Sequence, residues 1–229
     1  MAIFSGFESL ERIEFDQEFE LDTAGREVVV VLLSGQFKVQ DHSFSRDNVF
    51  LGRSQGFCVS DSGVYQLSTT TKAEICIIKN EAEETVPLSI LTERSKDVGE
   101  NNFSREVRTL VDRSDGLKSL IVGETIKPPG NWSSWPPHKH DEYIPEKESK
   151  QKEIYLYKFE NPQGFGIQVL YDKVLEDARS EIVTNNKEIK IYKGYHPVVS
   201  SPYSGMYYLW ALFGENKQFN VRYESEVEL

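Results

Sequence analysis

The sequence predicts an all-β protein built as two successive barrels. Three observations carry that expectation. Short runs alternate between apolar and polar residues, turn residues recur closely between them, and the aromatic content is dominated by 13 Phe and 11 Tyr, a mixture suited to pleated sheet. No strong amphipathic helix appears at the acidic segment Glu81 to Pro87.

Taken in order, Glu14 to Leu21 mostly alternates, and Arg26 to Leu33 contains the Val-Val-Val-Val-Leu-Leu run of a strand buried on both faces. Ser34-Gly35 turns the chain into Gln36 to Gln40, and Asp41-His42 and Arg46-Asp47-Asn48 punctuate the next segments. Asn48 to Leu51, Gly56 to Ser60, Val64 to Thr69 and Ala73 to Lys79 are further short strands. Glu81 to Pro87 is acidic and closed by proline, so it reads as a crossing. Residues 1–86 are therefore expected to form the first barrel and residues 87–229 the second.

In the second half, Phe103 to Asp112 and Lys118 to Thr125 are strands flanking the turn at Arg113 to Gly116. A strand carrying His138 and His140 comes next, then a solvated charged loop from Ile144 to Lys152 and a strand opening at Glu153. Gly164 to Asp172, Glu188 to Tyr192 and Gly205 to Phe213 continue the series. Lys173 to Glu181 suits a turn or two of helix or an irregular loop, and Phe219 to Leu229 suits an edge strand or a tail.

The totals narrow the functional classes. Against 26 basic residues stand 37 acidic ones, and the net charge of −11 opposes nonspecific binding to nucleic acid or anionic membrane. Cys58 and Cys76 lack metal-ligand spacing and read as core thiols, with the option that they face each other across paired strands. The N-terminus has no cationic region followed by an apolar stretch, and no run reaches membrane-spanning length. The expectation is a soluble cytoplasmic protein.

The chemistry concentrates between Lys127 and Phe159. His138 and His140 are two apart, so on an extended chain both imidazoles point to one side, and Pro136-Pro137 favours an extended entry. Glu153 shares a strand face with Tyr155, Tyr157 and Phe159, which would let two imidazoles and a carboxylate converge from neighbouring antiparallel strands. His196, in Lys-Gly-Tyr-His-Pro, is a fourth candidate. Three nitrogens and one oxygen suit a first-row divalent ion, with zinc, manganese and iron all open. Spacing alone leaves metal binding about even with ordinary surface or hydrogen-bonding roles. His42, on a polar turn without a neighbouring partner, reads as a surface residue.

Gly130-Asn131-Trp132-Ser133-Ser134-Trp135-Pro136-Pro137-His138-Lys139-His140-Asp141-Glu142 resembles the signature of the bacterial inositol-catabolic 5-deoxyglucuronate isomerases. These are bicupin proteins related to the 5-keto-4-deoxyuronate isomerases. Leu32-Leu33-Ser34-Gly35, Asn101 to Arg108, Glu153-Ile154-Tyr155, Gly164 to Gln168, Gly194 to Val198 and Tyr207 to Trp210 match in the same order. The resemblance implies two jelly-roll barrels, with a divalent metal in the second held by His138, His140, Glu153 and His196.

It also implies aldose–ketose interconversion of a small deoxy uronic acid, foremost 5-deoxy-glucuronate. Moving a carbonyl between adjacent carbons through an enediolate calls for a Lewis acid and a proton shuttle. Glu142, a metal-bound hydroxide and a tyrosine are the candidates for the shuttle. Arg105 or Arg108 would hold the substrate carboxylate, with Lys139 as a point-charge alternative; three residues apart on a strand, the two arginines face oppositely. Tyr195, Tyr207 and Tyr208 would line the pocket. Each of these has an ordinary alternative as a surface ion pair, a loop carboxylate or a core aromatic. Two other readings stay open, an oxygen-using metallo-cupin and a non-enzymatic sugar-acid-binding cupin, and the sequence allows a homo-oligomer.

Overall fold

The computed structural model describes residues 8–214 and 219–224, and among them the chain is almost entirely strand and turn. The strands are β1 (Ser9–Phe15), β2 (Glu18–Asp22), β3 (Arg26–Val39), β4 (His42–Arg46), β5 (Gln55–Asp61), β6 (Val64–Ser68), β7 (Ala73–Glu81), β8 (Val86–Ile90), β9 (Arg94–Val98) and β10 (Arg105–Val111). They continue as β11 (Leu120–Lys127), β12 (Trp132–Ser133), β13 (His138–Lys139), β14 (Lys152–Phe159), β15 (Phe165–Leu170), β16 (Arg179–Thr184), β17 (Glu188–Ile191), β18 (Val198–Ser200), β19 (Met206–Phe213) and β20 (Arg222–Tyr223). Single 3-10 turns occur at Asn101–Phe103, Arg113–Asp115 and Leu175–Asp177.

The chain divides into two compact units. The first takes the residues up to Arg94 together with Thr109–Val122, and the second takes Ser95–Arg108 and the residues from Gly123 onward. Residues 87–94 and 109–122 thus group with the first unit, whereas the sequence places the boundary at 86/87. The cause is pairing. β8 docks antiparallel on β5, with Phe57 opposite Ile90, and the buried Glu27 carboxylate accepts from the Lys118 and Ser119 amides and the Ser119 hydroxyl.

The first unit is organised on β3, which lies between β5 and β7 in the order β1-β7-β3-β5-β8. Its core joins Val28, Val30 and Leu32 to Phe37, Phe44, Phe57, Leu67 and Ile75, and each such side chain contributes about 1.5–3 kcal/mol by leaving water. Cys58 pairs with Val29 and Cys76 with Val31, on opposite edges of β3. Two strand spacings, ~9.5 Å, separate them, too far for a disulfide, and both are free thiols. They do not face each other across paired strands. Asn48 and Leu51 form only an isolated bridge, while His42 opens β4 with its side chain exposed.

The second unit has a six-stranded sheet ordered β17-β14-β19-β11-β10-β9 and a four-stranded sheet ordered β12-β18-β15-β16. β14 is central, so both of its faces are buried: Ile154 and Leu156 on one, Tyr155, Tyr157 and Phe159 on the other. The second face packs with Leu170, Val183, Val198 and Tyr208. A two-stranded ribbon joins β13 to β20, with His138 opposite Tyr223 and Lys139 opposite Arg222. No helix among the described residues is long and apolar enough to cross a membrane.

Candidate metal centre

Glu153 enters the second unit's interior from the N-terminal end of β14, and the two-residue alternation that buries Tyr155 and Tyr157 also turns its carboxylate inward. β13 does not pair with β14, contrary to the neighbouring-strand expectation. Their connection is made instead by the Gln151 amide, which donates to the His140 carbonyl at 2.8 Å. His196 arrives from the turn before β18. Gln168 fixes that turn by donating from Nε2 to the carbonyls of His196 at 2.6 Å and Pro197 at 3.0 Å.

One oxygen of Glu153 lies between two imidazoles, 3.2 Å from His140 Nε2 and 3.4 Å from His196 Nε2. These three residues offer ligand atoms all within 4.8 Å of one another. The His138 ring centroid is 5.0 Å from that of His196 and 6.4 Å from that of His140. In all three histidines Nδ1 lies near a backbone carbonyl, that of Pro136 for His138, Gln151 for His140 and Gly194 for His196. Such contacts fix the tautomer and leave Nε2 as the inward donor, the arrangement that second-shell partners give metal-ligating histidines.

Among the described residues the buried His196 Nε2 has no hydrogen-bond partner. A buried nitrogen lone pair left in this way is costly unless something fills the space before it. Burial, with the nearby imidazoles, pushes the pKa values of His138 and His196 down to about 3, so both are neutral and carry a free lone pair at neutral pH. His140 differs. Burial disfavours its charge, but the hydrogen bond and attraction from Glu153 raise its pKa. The donor set therefore fits a divalent cation, which would take the place of the proton shared between His140 and Glu153.

The other sequence candidates separate by strand face. Arg105 donates to the carbonyls of Phe103 at 2.8 Å and Trp135 at 3.2 Å, and its charge reaches His138 and Tyr208. Arg108 lies on the opposite face of β10, bidentate to Glu106 at 2.8 and 3.0 Å and 3.9 Å from Glu124. Its guanidinium is occupied by carboxylates of the protein, on the face away from the histidines.

Lys139 alternates away from His138 and His140. Its ammonium is ion-paired to Asp141 at 2.5 Å and Glu148 at 3.0 Å. Glu142 is 61% exposed and paired to Lys139 and Arg222, so it sits outside the buried cluster of His140, Glu153 and His196. Tyr195 stacks on Tyr171, with centroids 5.1 Å apart, and its side chain takes the opposite side of the chain from His196. Tyr207 donates to Glu124 on the face of Arg108.

Tyr208 is in the interior, with its hydroxyl bonded to Ser133 Oγ and its ring 4.9 Å from Tyr155; the Tyr155 ring lies 6.2 Å from His196. Burial raises the pKa values of Tyr155, Tyr157 and Tyr208, which keeps these phenols protonated as donors. Sequence reasoning passed over Gln168 as a positioning residue, Ser133 and Ser134 as hydroxyl partners, and the segment Phe219 to Glu224. There the rings of Phe219 and Tyr223 stand 5.9 Å from His140 and 6.0 Å from His138.

The fold and this cluster define the class: an all-β protein of the cupin type, with histidines and a carboxylate gathered inside one unit. Residues 4–229 match the model of the KduI/IolB family, and the chain belongs to that family. Among curated relatives, the 5-deoxy-glucuronate isomerase of Geobacillus thermodenitrificans (strain NG80-2) is 27% identical over 222 residues, covering 93% of this chain and 81% of the relative. The crystal structure of an IolB-like protein from Salmonella typhimurium LT2 superposes with a TM-score of 0.86 at 24% identity, covering 94% of this chain and 86% of that one. The Bacillus subtilis oxalate decarboxylase with Mn(II) centres shares the fold at 11% identity and a TM-score of 0.59, covering 94% of this chain and 71% of that one.

Proposed function

We propose that the protein is an aldose–ketose isomerase acting on a deoxy uronic acid, most specifically 5-deoxy-glucuronate in inositol catabolism, with a divalent metal held by His138, His140, Glu153 and His196. The observation that carries this reading is the single Glu153 oxygen set between two inward Nε2 atoms, in a chain whose family relatives bear that activity.

Isomerisation removes a proton from the carbon beside a carbonyl and returns one at the neighbouring carbon. The obstacle is the negative charge that develops on the two oxygens. A divalent cation in this donor set supplies Lewis-acid stabilisation of that charge. The chain's own contribution is positional. The three carbonyl contacts orient the imidazoles, Gln168 fixes the His196 turn, and the phenols of Tyr155 and Tyr208 stay protonated and able to donate to a sugar oxygen. Burial of His140, Glu153 and His196 excludes bulk water, which strengthens each of these interactions.

The test is to follow 5-deoxy-glucuronate by proton NMR with the purified, metal-analysed protein. Conversion to the ketose that is lost on chelation and regained on adding zinc, manganese or iron is the expected result. A substrate spectrum that stays unchanged with fully loaded protein would overturn the assignment.

A further inference from the structure

Lys127, the last residue of β11, is 1% exposed. Its ammonium makes one hydrogen bond, to the Val198 carbonyl at 2.8 Å, and no carboxylate among the described residues pairs with it. An ammonium has three donors and is rarely buried without a counter-charge. The neighbouring charge is of the wrong sign, because Arg105 acts on Lys127 repulsively. Burial first, and that repulsion second, hold the Lys127 pKa well below its ordinary 10.5. Among the described residues Arg105 likewise binds only backbone carbonyls. Among those residues the two buried or half-buried cations thus have no acidic partner, a costly arrangement.

Strand alternation says which way they point. Thr125 meets the Trp210 indole N–H at 3.2 Å, and Trp210 packs against the Tyr155–Tyr157–Tyr208 core. Lys127, two residues on, shares that inward face. Its contact, Val198, lies opposite Ser133 on β12, and Ser133 holds the Tyr208 hydroxyl. Glu124 and Arg108 take the other face. The cation pair therefore belongs to the same interior as the histidines, and Arg105 is also felt by His138.

We infer that Lys127 and Arg105 together form the seat for the carboxylate of the sugar-acid substrate, Lys127 being a substrate-contacting residue. The inference rests on the isomerase reading for the identity of the acid. An arriving carboxylate supplies the missing counter-charge.

The experiment compares two ligands that cannot open and react, the methyl glycoside of 5-deoxy-glucuronic acid and its neutral counterpart with hydroxymethyl in place of carboxyl. Calorimetry measures both on the purified, metal-analysed wild type and on Lys127→Met. The expected result is a variant with unchanged metal content and an equal or higher Tm. It should bind the carboxylate ligand about ten- to a hundredfold more weakly, as for loss of a hydrogen bond to a charged group, and the neutral one equally well.

A folded Lys127→Met that keeps the wild-type preference for the carboxylate overturns the proposal. Lys127→Gln keeps a donor for Val198 and gives the same readout where the methionine variant does not fold; loss of folding in both makes Lys127 a structural tie and also overturns it. A wild type that prefers the carboxylate but does not turn over 5-deoxy-glucuronate removes the isomerase reading and leaves the seat standing.

Discussion

The two units use β-structure for opposite ends. In the first, the core is made mainly of valine, leucine, isoleucine and phenylalanine, with Tyr65 at its margin, and polar groups that do get buried, such as Glu27, are met by backbone and hydroxyl donors. In the second, three tyrosines share the core with Gln168, His196, Glu153 and Lys127 close by. One interior is filled for cohesion and the other is kept polar at a cost. Buried polar groups that do not serve stability point to chemistry, which is why the second unit carries the site.

The sharpest way to test this contrast is His196→Ala. Metal content should fall to background and activity by on the order of 10³ or more, since Lewis-acid stabilisation is worth several kcal/mol, while the melting transition persists. Full metal occupancy in that variant would break the ligand set. Phe57→Ala, in the first unit, should do the reverse. It should cost about 3–5 kcal/mol of stability in chemical denaturation and leave metal per folded molecule unchanged.

A smaller effect separates holding from ligating. Gln168→Ala removes its two hydrogen bonds to the His196 turn, and a loss of about 10–100-fold in metal affinity is expected from such outer-sphere changes; an unaltered affinity would assign the turn's rigidity to the backbone bonds of Tyr195 and Pro197.

The smallest effect belongs to Asp61. Burial alone would raise its pKa, but hydrogen bonds from Tyr65, Gly63 and Thr23 lower it below the ordinary 3.8. The unfolded state therefore binds this proton more readily, so Asp61 stabilises the fold fully above about pH 4 and progressively less as pH falls through its folded pKa. Asp61→Asn should cost ~1 kcal/mol at neutral pH, with the difference from wild type shrinking in acid denaturation curves at lower pH.

Much of this was legible in the sequence, for physical reasons. The long apolar run at β3, the His-x-His pair, the inward face begun by Glu153 and the Gly-Tyr-His-Pro turn are local patterns, and local patterns survive in one dimension. The order β1-β7-β3-β5-β8 is not local, so neither the place of β8 nor the separation of Cys58 from Cys76 was visible. Lys139 and Glu142 stand beside the histidines in sequence, but alternation and exposure carry them elsewhere. Lys127 opens the stretch that the sequence singles out, but its setting was not legible there, because an absent counter-charge leaves no mark on the letters around it.

The ribbon between β13 and β20 ties the histidine strand to a stretch far along the chain. Among the described residues, the strand bearing His138 receives its hydrogen-bonded neighbour only from Arg222–Tyr223, and the Glu224 amide closes it further on the Pro137 carbonyl. Opening of this ribbon would loosen His138 while Glu153 on β14 and His196, tied by Gln168, stay in place, so a substitution at Arg222–Glu224, remote in sequence, would be felt at the cluster itself.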